Sequence, residues 1–286
     1  MNATRMVAGL GLAMGLTTLG ACRDQRAPAS AAASAAPAPV ASAADRSNLV
    51  VEGSGFALTL PEGRVLRGTE LAGATLELAL ADGQVVPVRL ASITPDPDHP
   101  DILRHDFQSP DDHGGWRPTC TPNAYGERWG FPVSLPEGHP GREGRITISC
   151  ASGAVVKCAR FGYPPWRRGP NGEDLLPLHA ACMRMVRADY CGDGTPWTKE
   201  GTVIDNYDDL GIQTRGLRDD PRHTFEAGWT AAGAVCVAHT RWSDLTTTAQ
   251  LEARCPRLAA VPLCTEDTAR ALGARMFNHS RELPAP

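Results

Sequence analysis

The sequence predicts an α+β fold made mostly of antiparallel strands, with a few short helices and a disulfide framework. Three observations lead there. Several short stretches alternate apolar and polar residues, the period of a half-buried strand. Helical periodicity is confined to a few short segments, and eight cysteines are scattered from Cys120 to Cys264. No Gly-rich phosphate loop follows any strand and no internal repeat is found, so no cofactor is expected.

Residues 1–21 read as a lipoprotein signal peptide. Arg5 supplies a positive start, Met6 to Gly20 is apolar and uncharged, and Leu19-Gly20-Ala21-Cys22 closes the run. The apolar run is shorter than the ~20 residues that span a bilayer, and its layout is that of a cleaved leader. A cysteine directly after the small residues makes a lipobox, so Cys22 is the expected lipidation site and palmitate an expected modification. Arg23 and Asp24 follow, and the expected location is the cell envelope, at the outer membrane. Residues 22–48 read as a disordered tether, almost wholly Ala, Ser and Pro, with too little apolar surface to offset the entropy of ordering.

Residues 49–286 are expected to form one β-rich globular region, with a β subdomain at 49–109. Phe56, Leu58 and Leu60 alternate with smaller residues, as do Leu76, Leu78 and Leu80. Asp82-Gly83 then marks a hairpin turn before Gln84 to Ile93. Ile146, Ile148 and Cys150 face one way, Ala151-Ser152-Gly153 turns the chain, and Ala154 to Phe161 is expected to return as a strand. Further strands are expected at Thr224 to Thr230 and Ala234 to His239. Leu175 to Asp189 carries Leu178, Cys182, Met185 and Val186 on one helical face, with Gly192 placed to stop it. Thr246 to Arg254 and Glu266 to His279 are the other expected helices, the last with Thr265 as N-cap.

A formal charge of -4, with 42% hydrophobic and 21% charged residues, gives no electrostatic reason to expect nucleic acid. Of the nine cysteines, the lipobox claims Cys22. The other eight are Cys120, Cys150, Cys158, Cys182, Cys191, Cys236, Cys255 and Cys264. An even number in an exported chain points to disulfides, whose pairing spacing alone does not choose. A zinc site is the rival, but Cys-x-x-Cys is absent.

The middle of the chain carries a dense run of distinctive residues. Trp116-Arg117-Pro118-Thr119-Cys120 and Ile146-Thr147-Ile148-Ser149-Cys150 come first. Lys157-Cys158 and Gly162-Tyr163-Pro164-Pro165-Trp166 follow. Next is the stretch from His179 through Ala188-Asp189-Tyr190-Cys191 to Gly194, and then Phe225-Glu226-Ala227-Gly228-Trp229 and Gly233-Ala234-Val235-Cys236. In these elements, over residues 110–242, the chain resembles the ADYC domain family of exported bacterial proteins. The resemblance implies an exported compartment and assigns no activity. Residues 243–286, with Cys255 and Cys264, fall outside it and are expected to form a C-terminal helical segment.

Each candidate site in the sequence has a plainer reading beside it. From Asp189 as position one, Asp193 stands at five, Gly194 at six and Glu200 at twelve, the skeleton of a calcium loop. Cys191 occupies a ligand position and Pro196 interrupts the loop, so a tight turn is the preferred reading. Asp96, Asp98, Asp101, Asp106, Asp111 and Asp112, with His99, His105 and His113, have metal-ligand chemistry but lie among prolines that suggest a solvated loop. Asp205, Asp208, Asp209 and Glu226 could furnish a carboxylate pair, though no spacing selects them. Trp166 and Trp197, beside turns, are the tryptophans expected to be exposed.

The expected function is a lipid-anchored binding or structural domain without catalysis. Its partners are the membrane, through Cys22, and an envelope protein or glycan. The alternative is a metal-dependent hydrolase using Asp189, Asp193 and Asp205. Replacing Cys22 with Ser is expected to leave the chain in the aqueous phase of a detergent phase separation. Partition into detergent by that variant would refute the lipobox.

Overall fold

The computed structural model describes residues 40–41, 48–79, 85–134, 146–261 and 263–282. The signal peptide, Cys22 and the Asp82-Gly83 turn lie outside them. Within the stretch expected as a tether, β1 (Val40–Ala41) pairs in parallel with β5 (Thr75–Ala79).

Alternation along the first half produces strands as anticipated. β2 (Leu49–Glu52), β3 (Gly55–Thr59) and β4 (Val65–Arg67) form an antiparallel three-stranded sheet. A second sheet runs β5, β6 (Val85–Pro95), β7 (Leu103–Pro110), β9 (Gly130–Ser134) and β10 (Ile146–Cys150), with β8 (Trp116–Pro118) paired to β7. Leu58, Leu76, Leu90 and Phe107 meet in one core. A third, wholly antiparallel sheet has the order β11 (Ile204–Asp208), β14 (Met276–Ser280), β12 (Thr224–Thr230) and β13 (Gly233–Val237).

Two segments differ from expectation. The Ala154 to Phe161 stretch is a helix, α1 (Ala154–Arg160), not a strand. Its paired valines suggest a strand, yet Val156 and Ala159 are buried three residues apart, which is helical spacing. The expected helix from Glu266 to His279 stops after α5 (Glu266–Ala271), capped by Thr265. Gly273 takes a left-handed φ of 87°, and the chain then runs on as β14, an inner strand buried at four of its five residues. The C-terminal segment therefore holds three short helices and also supplies one strand of the third sheet.

The longest helix, α2 (Leu176–Arg187), lays Leu178, Cys182 and Met185 against Trp229, Ala234 and Met276 of that sheet. Ala188 ends it in a left-handed conformation, φ 50°, so Gly192 is not the stop. A Cβ at Gly192 would collide with the Ala232 carbonyl in the β12–β13 turn, and close approach is what requires glycine there. α3 (Thr248–Arg254) and α4 (Pro256–Ala259) complete the α-helices among the described residues.

Four disulfides join Cys120 to Cys150, Cys158 to Cys182, Cys191 to Cys255 and Cys236 to Cys264. Their Cα atoms are 5.5, 5.8, 5.8 and 5.5 Å apart, normal for such bridges. The second pins α1 to α2. The last two staple the C-terminal segment to the turn after α2 and to β13. Each bridge contributes roughly 2–4 kcal/mol by restricting the unfolded chain.

His105 on β7 is fully buried and stacks on Phe107 with ring centroids 5.2 Å apart. Burial disfavours its charged form and pushes its pKa down to about 4. An unfolded histidine binds its proton near pH 6.5, so between those values the unfolded chain holds the extra proton. Stability is therefore full at neutral pH and falls as pH drops from about 6.5 to about 4, by about 3 kcal/mol from this group. His179 and His279 are lowered by burial too and act in the same direction. Urea melts at pH 7 and pH 4 are expected to differ less for His105→Phe than for the wild type. An unchanged difference would remove His105 from the account.

Candidate functional site

The Ala188-Asp189-Tyr190-Cys191 run begins where α2 ends, and each residue does a separate job. Ala188 reverses the chain, with its N–H donating back to the carbonyls of Arg184 and Met185. Asp189 is fully buried. Its Oδ2 accepts from Gly194 N at 2.9 Å and from the Arg184 guanidinium, closing the turn. Tyr190 drops into the core and stacks on Trp229, centroids 5.3 Å apart. Cys191 carries the bridge to Cys255.

Beneath Tyr190 lies a buried polar network centred on Glu226. The β12–β14 register slips between Phe225 and Ala227, and this bulge leaves Glu226 outside the pairing, aimed inward. Its Oε1 accepts from Tyr190 Oη at 3.0 Å and Arg241 Nη2 at 2.9 Å. Its Oε2 accepts from Arg241 Nε at 3.1 Å and Asn278 Nδ2 at 2.7 Å. Trp229 Nε1 donates to Asn278 Oδ1 at 2.7 Å. Arg241 directs its remaining donors to the carbonyls of Met185 and Val186 and to Thr198 Oγ1. All five guanidinium N–H groups are thereby used, two of them at the negative end of α2.

The charge states follow from this geometry. Burial raises the Glu226 pKa, but the Arg241 charge and its hydrogen bonds outweigh that and hold the carboxyl below its ordinary range. Burial and the neighbouring Glu226 push the Tyr190 hydroxyl well up, so it stays a neutral donor.

The carboxylates singled out in the sequence are distributed, not convergent. Asp193 accepts from Thr195 N and the Arg254 guanidinium, which hold its carboxyl down at about 2. Glu200 pairs with Lys157 at 3.2 Å. Asp205 takes Gly216 N at 2.8 Å and Leu217 N and Arg215 at 3.2 and 3.1 Å. Asp208 accepts from three backbone N–H groups and Tyr163 Oη, and Asp209 pairs with Arg275. The cation inside the Asp189 turn is an arginine: Arg257 donates to the carbonyls of Tyr190, Cys191 and Ala234. Among the described residues, no group of three or more His, Cys, Asp or Glu side chains is placed to hold a metal ion.

The Asp/His-rich stretch is also less solvated than its prolines suggest. Asp96 is fully buried and accepts from the N–H groups of Asp98 and His99 and from Arg104 and Arg160. The guanidinium groups of Arg104 and Arg160 lie over the Trp129 ring at 4.8 and 5.8 Å. Asp101 pairs with Arg167, Asp106 accepts from Gln108, and Asp111 accepts from His113 N and Gly115 N. Trp166 is half-buried, edge-on to Phe131, and Trp197 is half-buried against the main core, whereas Trp116 is exposed.

Above the network opens a cleft of about 500 Å³, between α1, the end of α2, the 197–204 loop and the 123–125 turn. Val156, Val186 and Ile204 line it with the edge of Arg241, and Lys157, Lys199 and Glu200 stand around it. Asn123 Oδ1 accepts from Tyr125 N and Glu127 N at 2.9 and 3.0 Å. That turn presents Tyr125, 89% exposed, at the cleft, together with Val203 at 62%. Sequence reasoning missed the cleft and missed Arg241 and Asn278 as partners of Glu226. Those contacts join positions 15 and 52 residues apart, and no local pattern reports them.

Removing one member of a buried ion pair strands the other. Arg241→Met is expected to cost about 3–5 kcal/mol in urea unfolding, and Glu226→Gln added to it is expected to restore part of that loss. A cost under about 1 kcal/mol would refute the central role of the pair.

The sequence profile of the ADYC domain matches residues 68–243, starting well before the stretch that carries the resemblance and ending short of Cys255, Cys264 and β14. Searches of curated proteins and of solved structures find no match. The match covers more than half of the 286 residues, takes in Tyr190, Glu226 and Arg241, and places the chain in the ADYC domain family.

Proposed function

We propose that this protein is a lipid-anchored cell-envelope domain of α+β class that binds a ligand in the cleft beside α1 and catalyses no reaction. Cys22 anchors it, at the outer membrane, and the partner is an envelope protein or glycan. The observation that carries this reading is the cleft, where apolar walls meet polar groups in a volume suited to a ligand. Tyr125 and Val203 are two large apolar side chains held in solvent at its mouth, and exposed apolar residues gathered at one concavity mark binding surfaces. Asp189, Asp193, Asp205, Asp208 and Glu226 are each engaged by internal donors, as a scaffold requires.

A photo-crosslinking residue placed at Tyr125 or Val203 in the full chain, expressed in its own membranes, is expected to capture one discrete adduct. The same residue at Val50 or Leu272, exposed apolar positions outside the cleft, is expected to capture none. Identical adducts at all four positions, or none at the cleft pair, would overturn the proposal.

A further inference from the structure

The cleft has a polarity that specifies its ligand further, given that it is the binding site. Four basic side chains line it, Lys157, Arg160, Lys199 and Arg241, against one carboxylate, Glu200. Three of the four are committed elsewhere. Arg241 is spent on Glu226 and the end of α2. Arg160 is held by Asp96, Asp98 and Glu127. Lys199 pairs with Asp244 at 2.6 Å while its ammonium lies 3.9 Å from the centroid of the Trp242 ring.

Lys157 differs. Its ammonium meets both oxygens of Glu200 at 3.2 Å, and Glu200 belongs to the opposite wall of the cleft, 43 residues away in sequence. The Glu200 side chain is 56% exposed, and an exposed pair of this kind contributes little to stability. It is therefore easily exchanged for another carboxylate at small cost to the fold. The same cleft is lined by the apolar side chains of Val156, Val186, Val203 and Ile204.

The geometry points to an amphipathic carboxylate carried by the envelope partner as the group that enters the cleft, its apolar part on Val186, Val203 and Ile204 and its carboxylate displacing Glu200 from Lys157. Glu200 then acts as an internal placeholder. It keeps Lys157 paired while the cleft is empty and competes with the ligand for that ammonium.

The test uses two soluble probes of one shape and opposite charge, 4-phenylbutyrate and 4-phenylbutylammonium, with the full chain. Equilibrium binding is measured, and lysine acetylation is mapped by mass spectrometry. Phenylbutyrate is expected to bind saturably and to protect Lys157 from acetylation. Glu200→Gln is expected to tighten that binding about three- to fivefold by removing the competitor, and Lys157→Met to weaken it by at least as much. Both positions are partly exposed, and circular dichroism melts verify that the variants fold. Saturable binding of phenylbutylammonium that weakens in Glu200→Gln would overturn the carboxylate class. Failure of both probes, with crosslinking from Tyr125 and Val203 intact, would also overturn it and leave the cleft as a binding site. Failure of the probes and the crosslinks together would remove both readings.

Discussion

The ion pair between Glu226 and Arg241 is the constraint around which the C-terminal half is arranged. Both side chains are almost completely buried, and a buried charge without its partner costs several kcal/mol. Net stability of a domain is itself only about 5–15 kcal/mol. The pair is tolerated because its hydrogen-bonding capacity is met on every side. Tyr190 comes from the turn after α2, Asn278 from the last strand, and the carbonyls of Met185 and Val186 from α2 itself. Three separate elements must arrive together to satisfy one carboxylate and one guanidinium, and few alternative packings could do so.

That demand accounts for much of the family's conspicuous sequence. Ala188 turns the chain so that Tyr190 can reach Glu226, and the bulge in β12 aims Glu226 at Tyr190. Gly192 lets the turn approach the β12–β13 connection closely. Gly228 does the same for α5, because a Cβ there would run into Ala269 and Ala274. Asp189 and Arg257 hold the same turn through its backbone, and the bridge from Cys191 to Cys255 fastens it to the tail. In this arrangement the ADYC residues are architectural.

The cleft inherits its rigidity from the same network. One wall is the 197–203 loop, whose Thr198 hydroxyl receives Arg241 and whose Thr202 hydroxyl receives Trp242 Nε1 at 2.9 Å. Trp197 N donates to the Arg187 carbonyl at the end of α2, and Lys199 is pinned to Asp244. The opposite wall, α1, is bridged to α2 through Cys158 and Cys182 and bonded through Arg160 to Asp96 and Glu127. Walls held in this way on both sides would lose little conformational entropy on binding the proposed ligand. The Lys157–Glu200 contact between the walls is a far weaker link than these anchors.

By itself the sequence determined the strands β3, β5, β6, β10, β12 and β13, the helix α2, the cap of α5 and the disulfide framework as a set. Alternation, helical spacing, capping chemistry and cysteine count are local or compositional signals. Four decisions belonged to tertiary structure. α1 is helical because the core accepts Val156 and Ala159 on one face and Cys158 meets Cys182, overriding the strand preference of its valines. Met276 to Ser280 is a strand because it completes a sheet between β11 and β12, whose edges no local pattern reveals. The tail cysteines pair back into the domain because the fold brings Cys191 and Cys236 to them. The site was hidden for the same reason. Glu226 could be noticed as a carboxylate, but its burial and its partners Arg241, Tyr190 and Asn278 are properties of contacts between distant residues. Only the folded chain could place it at the centre of a buried network.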